Sequence, residues 1–203
     1  MSKKLTTYKT IDIAVEGVLY KDKGSKFIGY LVPIKSEEEV KQELIRIKKK
    51  YHDARHWCYA YRLDFDGARY RINDDGEPSN TAGQPIYGQL LSKEVTNVLL
   101  VVVRYFGGVK LGVGGLIKAY RTCANETLQE AVIEDKIIKE SFEIHSAYQD
   151  MDKVMKLIKL YNLEISNQEM YLDCKFTLLS PVAMFNKVIT SFKELRCVKI
   201  ITA

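Results

Sequence analysis

Glycines at Gly107, Gly108, Gly112, Gly114 and Gly115 join an all-apolar run to a following helix, and the cations Arg104, Lys110, Lys118 and Arg121 lie on or near the same stretch. A glycine-rich entry into a helix leaves backbone N–H groups open to an anion, of which phosphate is the obvious one. The same glycines would equally serve tight packing of strand against helix. Lys118 and Arg121, three apart, share one side of the helix. Four cations there would neutralise phosphates along an RNA backbone. Tyr105 and Phe106 either add stacking surface or belong to the core.

Two further groups of residues have chemistry to offer. His52, His56 and Cys58 are metal-capable, but the chain around His56 reads as the entry to a strand, where HxxxH spacing need not converge, and no fourth ligand is near. Asp74, Asp75 and Glu77 flank Gly76 and Pro78 in an acidic turn that would hold a hydrated Mg²⁺ or act as acid and base if it met His56. Turns are rich in Asp and Gly for backbone reasons alone, and Pro78 favours an extended Glu77 whose carboxylate points away from the turn. No GxSxG, no Walker A loop and no nucleophile beside a base is present. No catalytic residue, metal ligand or cofactor is therefore assigned.

The elements that must position these residues follow from periodicity. Ile11, Ile13 and Val15 alternate with polar neighbours, and after the turn at Asp22–Gly24 the run Phe27 to Val32 returns, as in a β-hairpin. Ser36 and Glu39 form a capping box for a helix with Val40, Leu44 and Ile47 on its apolar stripe, and Lys48, Lys49 and Lys50 suit its negative end. A strand from Trp57 to Leu63 carries bulky residues on one face and small ones on the other. A helix is expected from between Thr81 and Pro85 to about Lys93. The apolar strand 97–104 is central, and the next helix runs from about Gly112 to near Ile133. From residue 136 the order strand, helix, strand, strand, helix, strand is the ferredoxin-like βαββαβ pattern, its second helix expected to start at Ser180 as cap and Pro181 at the first helical position. On the third of these strands Tyr171, Asp173, Lys175 and Thr177 face outward, without the stacked aromatics of RNA-recognition modules.

The 203 residues are 46% hydrophobic and 28% charged with a net charge of +5, which bounds the chain as a mildly basic globular protein of one or two domains. Its excess of cations is spread along the chain. Cys58, Cys123, Cys174 and Cys197 lack CxxC spacing, and the N-terminus lacks the apolar run of a signal peptide. Reduced thiols in the cytoplasm are expected. The longest apolar run, Val98 to Val103, falls far short of the roughly 20 residues a membrane span needs.

Three motifs carry a resemblance: the run from His52 through Arg55 and His56 to Ala60, the run Asp74 to Pro85, and the glycine-rich stretch from Arg104 to Arg121. In this order and over nearly the whole chain they closely resemble the YigZ/IMPACT family. The resemblance implies an α+β protein of two domains. Residues 1–135 would resemble domain 2 of ribosomal protein S five and domain IV of elongation factor G. Residues 136–203 would resemble that factor's ferredoxin-like C-terminal domain. The eukaryotic branch of the family is linked to control of translation initiation. The chain is accordingly expected to be a non-catalytic accessory of translation that binds RNA or a ribosome-associated protein, through Arg55, Arg104, Gly107, Gly108, Lys110, Gly114, Gly115, Lys118 and Arg121. The alternative is a hydrolase or transferase acting on a phosphorylated small molecule in a cleft between His52 and His56, the acidic turn of Asp74, Asp75 and Glu77, and the glycine-rich loop.

Overall fold

The computed structural model describes residues 5–202. The chain divides into two compact units, Thr7–Lys136 and a second from Ile137 onward that includes Leu5 and Thr6. Among the described residues no helix is long and apolar enough to cross a membrane.

The first unit contains β1 (Thr7–Thr10), β2 (Val15–Asp22), β3 (Ser25–Pro33), α1 (Glu37–Lys50), β4 (His56–Leu63), β5 (Arg69–Asn73), α2 (Gly83–Ser92), β6 (Val98–Tyr105), α3 (Gly112–Gln129) and β7 (Glu134–Ile137). Five strands form an antiparallel sheet in the order β2-β3-β6-β4-β5, and β1 pairs with β7 separately. The all-apolar β6 is central, and its residues Val98 to Val103 are fully buried. Alternation explains how it serves two cores. Val98, Leu100 and Val102 join Cys58 and Ala60 under α2 and α3, while Leu99, Val101 and Val103 join Tyr61 and Leu63 under α1. The small side chains of Cys58 and Ala60 leave room for the larger Ile86, Leu90, Leu116 and Tyr120 from the helices.

Local signals account for most boundaries. The Ser36 hydroxyl accepts from the Glu39 amide at 3.2 Å, while the Glu39 carboxylate reaches back to the Lys35 amide at 2.7 Å. Ile11 and Ile13 lie outside β2, which starts at Val15. Ile11 is nevertheless buried as a core side chain, whereas Ile13 is 78% exposed, so alternation there marks no paired strand. Helix α3 ends at Gln129, one turn earlier than its apolar stripe suggests.

The second unit contains β8 (Lys139–Ala147), α4 (Met151–Leu160), β9 (Glu164–Glu169), β10 (Asp173–Pro181), α5 (Phe185–Glu194) and β11 (Val198–Thr202). Its sheet order β11-β8-β10-β9, antiparallel throughout, is that of the ferredoxin-like βαββαβ pattern. Phe142, Ile144, Phe176 and Leu178 pack with Val154, Ile158, Val188 and Phe192 on one face. One boundary is corrected. Ser180 and Pro181 do not open a helix, because β10 continues to Pro181, opposite Lys139, and α5 begins only at Phe185 behind Met184. Pairing with β8 holds the serine in extended backbone and takes it from the cap position.

Candidate functional site

One end of the five-stranded sheet collects all three motifs. His56 at the start of β4 lies opposite Arg104 near the end of β6. The β2–β3 turn lies beside them, since Lys26 pairs with Tyr105. The connection after β5 folds back over the same end.

That acidic connection is held by its own carboxylates. Asp75 (φ 42°) and Gly76 (φ 85°) form a tight turn closed by the Glu77 amide on the Asp74 carbonyl at 3.0 Å. Asp74 accepts from the amides of Asn80, Ala82 and Gly83 at 2.9, 3.0 and 2.8 Å. Helix α2 has no cap from Ala82, so Asp74 supplies one from outside and places its charge at the positive helix end. Asp75 accepts from the Trp57 amide at 2.7 Å, with Lys48 Nζ 3.8 Å from its other oxygen.

Glu77 goes inward. Pro78 favours a carboxylate that projects away from the turn, but the side chain is only 4% exposed and lies 2.6 Å from Arg104 Nη1, itself 7% exposed. The Tyr120 hydroxyl donates to Glu77 at 2.8 Å and the Cys58 thiol donates to Tyr120 at 3.2 Å. His56 Nε2 stands 4.0 Å from the same Glu77 oxygen, and its Nδ1 is 2.9 Å from the Asp75 carbonyl. Burial raises the Cys58 thiol and, together with Glu77 and Cys58, the Tyr120 hydroxyl well above their ordinary pKa values. Cys58 is thus a protonated core thiol and no nucleophile. Sequence reasoning weighs Cys58 only as a metal-capable residue and leaves Tyr120 out of the site. The signal for this buried chain of hydrogen bonds is a Tyr on the buried stripe of α3 and a small residue on the strand facing it.

The glycine-rich connection lies against the β2–β3 turn. A Cβ on Gly107 would sit 1.9 Å from the Gly24 carbonyl carbon and 2.1 Å from the Ser25 nitrogen. The Gly107 amide donates to the buried Ser25 hydroxyl at 3.2 Å. Gly108 (φ 88°) and Gly112 (φ 72°) adopt left-handed backbone with open space around them. Gly114 has neither restriction: its φ is helical and a Cβ would touch nothing within 4 Å. Replacing Gly114 by alanine is therefore expected to raise stability by about 0.5–1 kcal/mol through helix propensity and a smaller loss of chain entropy. A shift of the urea midpoint measures this, and a lower midpoint would show a conformational need for glycine there.

Exposure sorts the cations. Arg104 is buried beneath the end of the sheet, with its guanidinium over Phe27 and Phe106, and so stands apart from the surface residues with which its motif groups it. Arg55, Lys110, Lys118 and Arg121 are exposed, and Gly114, Lys118 and Arg121 follow one another along the outer stripe of α3. His52 is exposed and the structure does not bring it onto Glu77. Sequence reasoning misses Lys21, Lys23 and Lys26, which the β2–β3 hairpin carries to this end. Lys21 and Lys26 stand directly opposite each other, a like-charge arrangement that costs stability. Among the described residues none of Lys21, Lys23, Lys26, Arg55, Lys110, Lys118 and Arg121 has an acidic partner. Nor do those residues hold any cluster of three or more His, Cys, Asp or Glu suited to a metal ion.

Residues 23–128 match the Impact N-terminal domain family. The chain is 39% identical over 136 residues to IMPACT family member YvyE of Bacillus subtilis, a match spanning 66% of this chain and 62% of that protein. It is 32% identical over 149 residues to IMPACT family member YigZ of Escherichia coli, covering 72% and 73% of the two chains. A crystal structure described only as that of a hypothetical protein overlays on 98% of both chains, with a TM-score of 0.76 and 26% identity. The chain belongs to the IMPACT family.

Proposed function

We propose that this member of the IMPACT family is a translation-associated accessory protein that contacts RNA, or a protein carried by the ribosome, through the loop end of its first sheet. One observation supports the reading above others: at that end the carboxylates of the acidic turn are engaged within the fold, while the hairpin and loop cations have no acidic partner among the described residues. Asp74 caps α2, Asp75 holds Trp57 and Glu77 neutralises Arg104. Exposed Lys21, Lys23, Lys26, Arg55 and Lys110 are left to define a positive field around the half-exposed Phe106. Lys118 and Arg121 extend it along α3. A polyanion relieves the repulsion between Lys21 and Lys26, and Phe106 offers a ring face for stacking.

The alternative reading as a hydrolase or transferase needs a carboxylate free to take a metal or a proton. The commitments of Asp74, Asp75 and Glu77 weigh against it. All four cysteines are unpaired, which supports action in the reducing cytoplasm.

The test is RNA affinity of the full chain across a salt series. Lys110→Ala and Arg121→Ala should each weaken binding across many sequences and reduce the salt slope by roughly one where the side chain neutralises a full phosphate. Both side chains are exposed, so thermal midpoints should stay unchanged. Equal slopes for wild type and the double variant would remove this surface from consideration.

A further inference from the structure

The second unit has an open surface depression of about 500 Å³ where β11 begins, whose lining includes His145, Lys175, Arg196 and Lys199 as well as Ser146 and Asp173. Strand register explains why the first group converges. Lys199 on β11 pairs with His145 on β8, and His145 pairs with Lys175 on β10, so three basic side chains form one row across adjacent strands. They point away from the core, because their neighbours Cys174, Phe176 and Ile144 are the residues that pack inward. Arg196 approaches from the turn before β11, with a left-handed φ of 53°.

Three carboxylates surround the row, as many as its lysines and arginine, so its unpaired positive charge is confined to Arg196 and Lys199. Glu143 bonds His145, Glu169 lies 3.8 Å from Lys175, and Asp173 sits in the lining. Arg196 and Lys199 have no acidic partner among the described residues. Just beyond the strand ends that supply Ala147 and Asp173 to the lining, the chain exposes aromatic side chains. Tyr148 follows the lining residue Ala147 and is 64% exposed, its amide donating to the Leu172 carbonyl at 3.3 Å. Tyr171, in the β9–β10 turn, is 76% exposed. The sheet face itself lacks the stacked aromatics of RNA-recognition modules, but exposed tyrosines at the strand ends together with unpaired cations supply the two components of a single-strand binding surface, which tracks phosphates with charge and holds bases by stacking.

We propose that this depression is a second site, separate in sequence from the basic loop end of the first unit, that takes the phosphate backbone of single-stranded RNA between Arg196 and Lys199, with Tyr148 and Tyr171 stacking the flanking bases. A phosphopeptide fits less well, since its dianionic group is best gripped by clustered arginines and only Arg196 is present. Sequence discrimination is expected to be weak, because stacking and phosphate contacts read no base edges.

The experiment uses the full chain and a fluorescently labelled oligoadenylate, followed by anisotropy at several salt concentrations. Arg196→Glu/Lys199→Glu should weaken binding about tenfold or more and lower the salt slope by roughly 0.7 for each phosphate no longer neutralised, the single-strand value. Tyr171→Ala should weaken it about fivefold or more at constant slope. Both variants alter exposed side chains, and circular dichroism should confirm an unchanged fold. Wild-type affinity and slope in both variants would overturn the proposal. So would chemical-shift changes at His145 with inorganic phosphate and none with the oligonucleotide, which would make the depression a small-anion site. Loss of binding in these variants but not in Lys110→Ala/Arg121→Ala would sustain this site while refuting the role given to the first unit.

Discussion

Replacing Glu77 by alanine is expected to lower folding stability by about 3–5 kcal/mol, the cost of leaving a buried cation without its counter-ion. Arg104 is 7% exposed, and its bond to Glu77 at 2.6 Å is its only ion pair among the described residues. The Nε of the same guanidinium already lies buried without a partner, so no spare acceptor stands ready to replace the carboxylate. The substitution also strands the Tyr120 hydroxyl, which donates to the same oxygen at 2.8 Å. Urea denaturation supplies the number. The double variant Glu77→Ala/Arg104→Met should be more stable than Glu77→Ala alone, because the unpaired charge is removed with its partner. Strictly additive losses would show that the pair is not coupled, and the account of Glu77 as a buried structural carboxylate would then fail.

Substituting Gly107 by alanine should destabilise the first unit by about 1–3 kcal/mol or more, the range for forcing extra volume into closed packing. The added Cβ would meet backbone, 1.9 Å from the Gly24 carbonyl carbon and 2.1 Å from the Ser25 nitrogen. Backbone cannot rotate out of the way as a long side chain can, so the loop after β6 must lift from the β2–β3 turn. The consequence for function is that Lys110 moves relative to Lys23 and Lys26. RNA affinity per folded molecule should fall along with stability. Amide hydrogen exchange reads the local event, since the bond from position 107 to the Ser25 hydroxyl would break and protection there should drop first. Gly114→Ala is the control, being an added methyl in the same motif with open space around it. Equal stabilities for the two variants would refute the docking of loop on hairpin.

The contrast between Gly107 and Gly114 shows where reading from sequence stops. Five glycines in one stretch signal a constrained connection, but which of them is constrained depends on what lies opposite. Gly24 is far away in the chain and becomes a neighbour only through the pairing of β3 with β6. The same holds for the acidic turn. Its tight backbone is legible in Asp75-Gly76, a pair suited to positive φ. That Asp74 would cap α2 and Glu77 would meet Arg104 is not legible, because both depend on how β5 returns along β4.

What the sequence determined by itself was periodic. The 3.6-residue stripes of α1 and α3, the doubly apolar β6 and the βαββαβ order of the second unit follow from where side chains must point to leave water, a property each segment carries alone. The three motifs likewise carried the family, and the identity to YvyE and YigZ establishes it. Tertiary structure decided which charges are inside. Arg104 and Lys110 are both cations of one glycine-rich run, yet one is buried on Glu77 and the other lies in solvent. Lys21, Lys23 and Lys26 enter the same surface from a distant hairpin. The physical reason is that burial and pairing of a charge are set by partners from other strands, at distances fixed by sheet register, and no single segment encodes its partner.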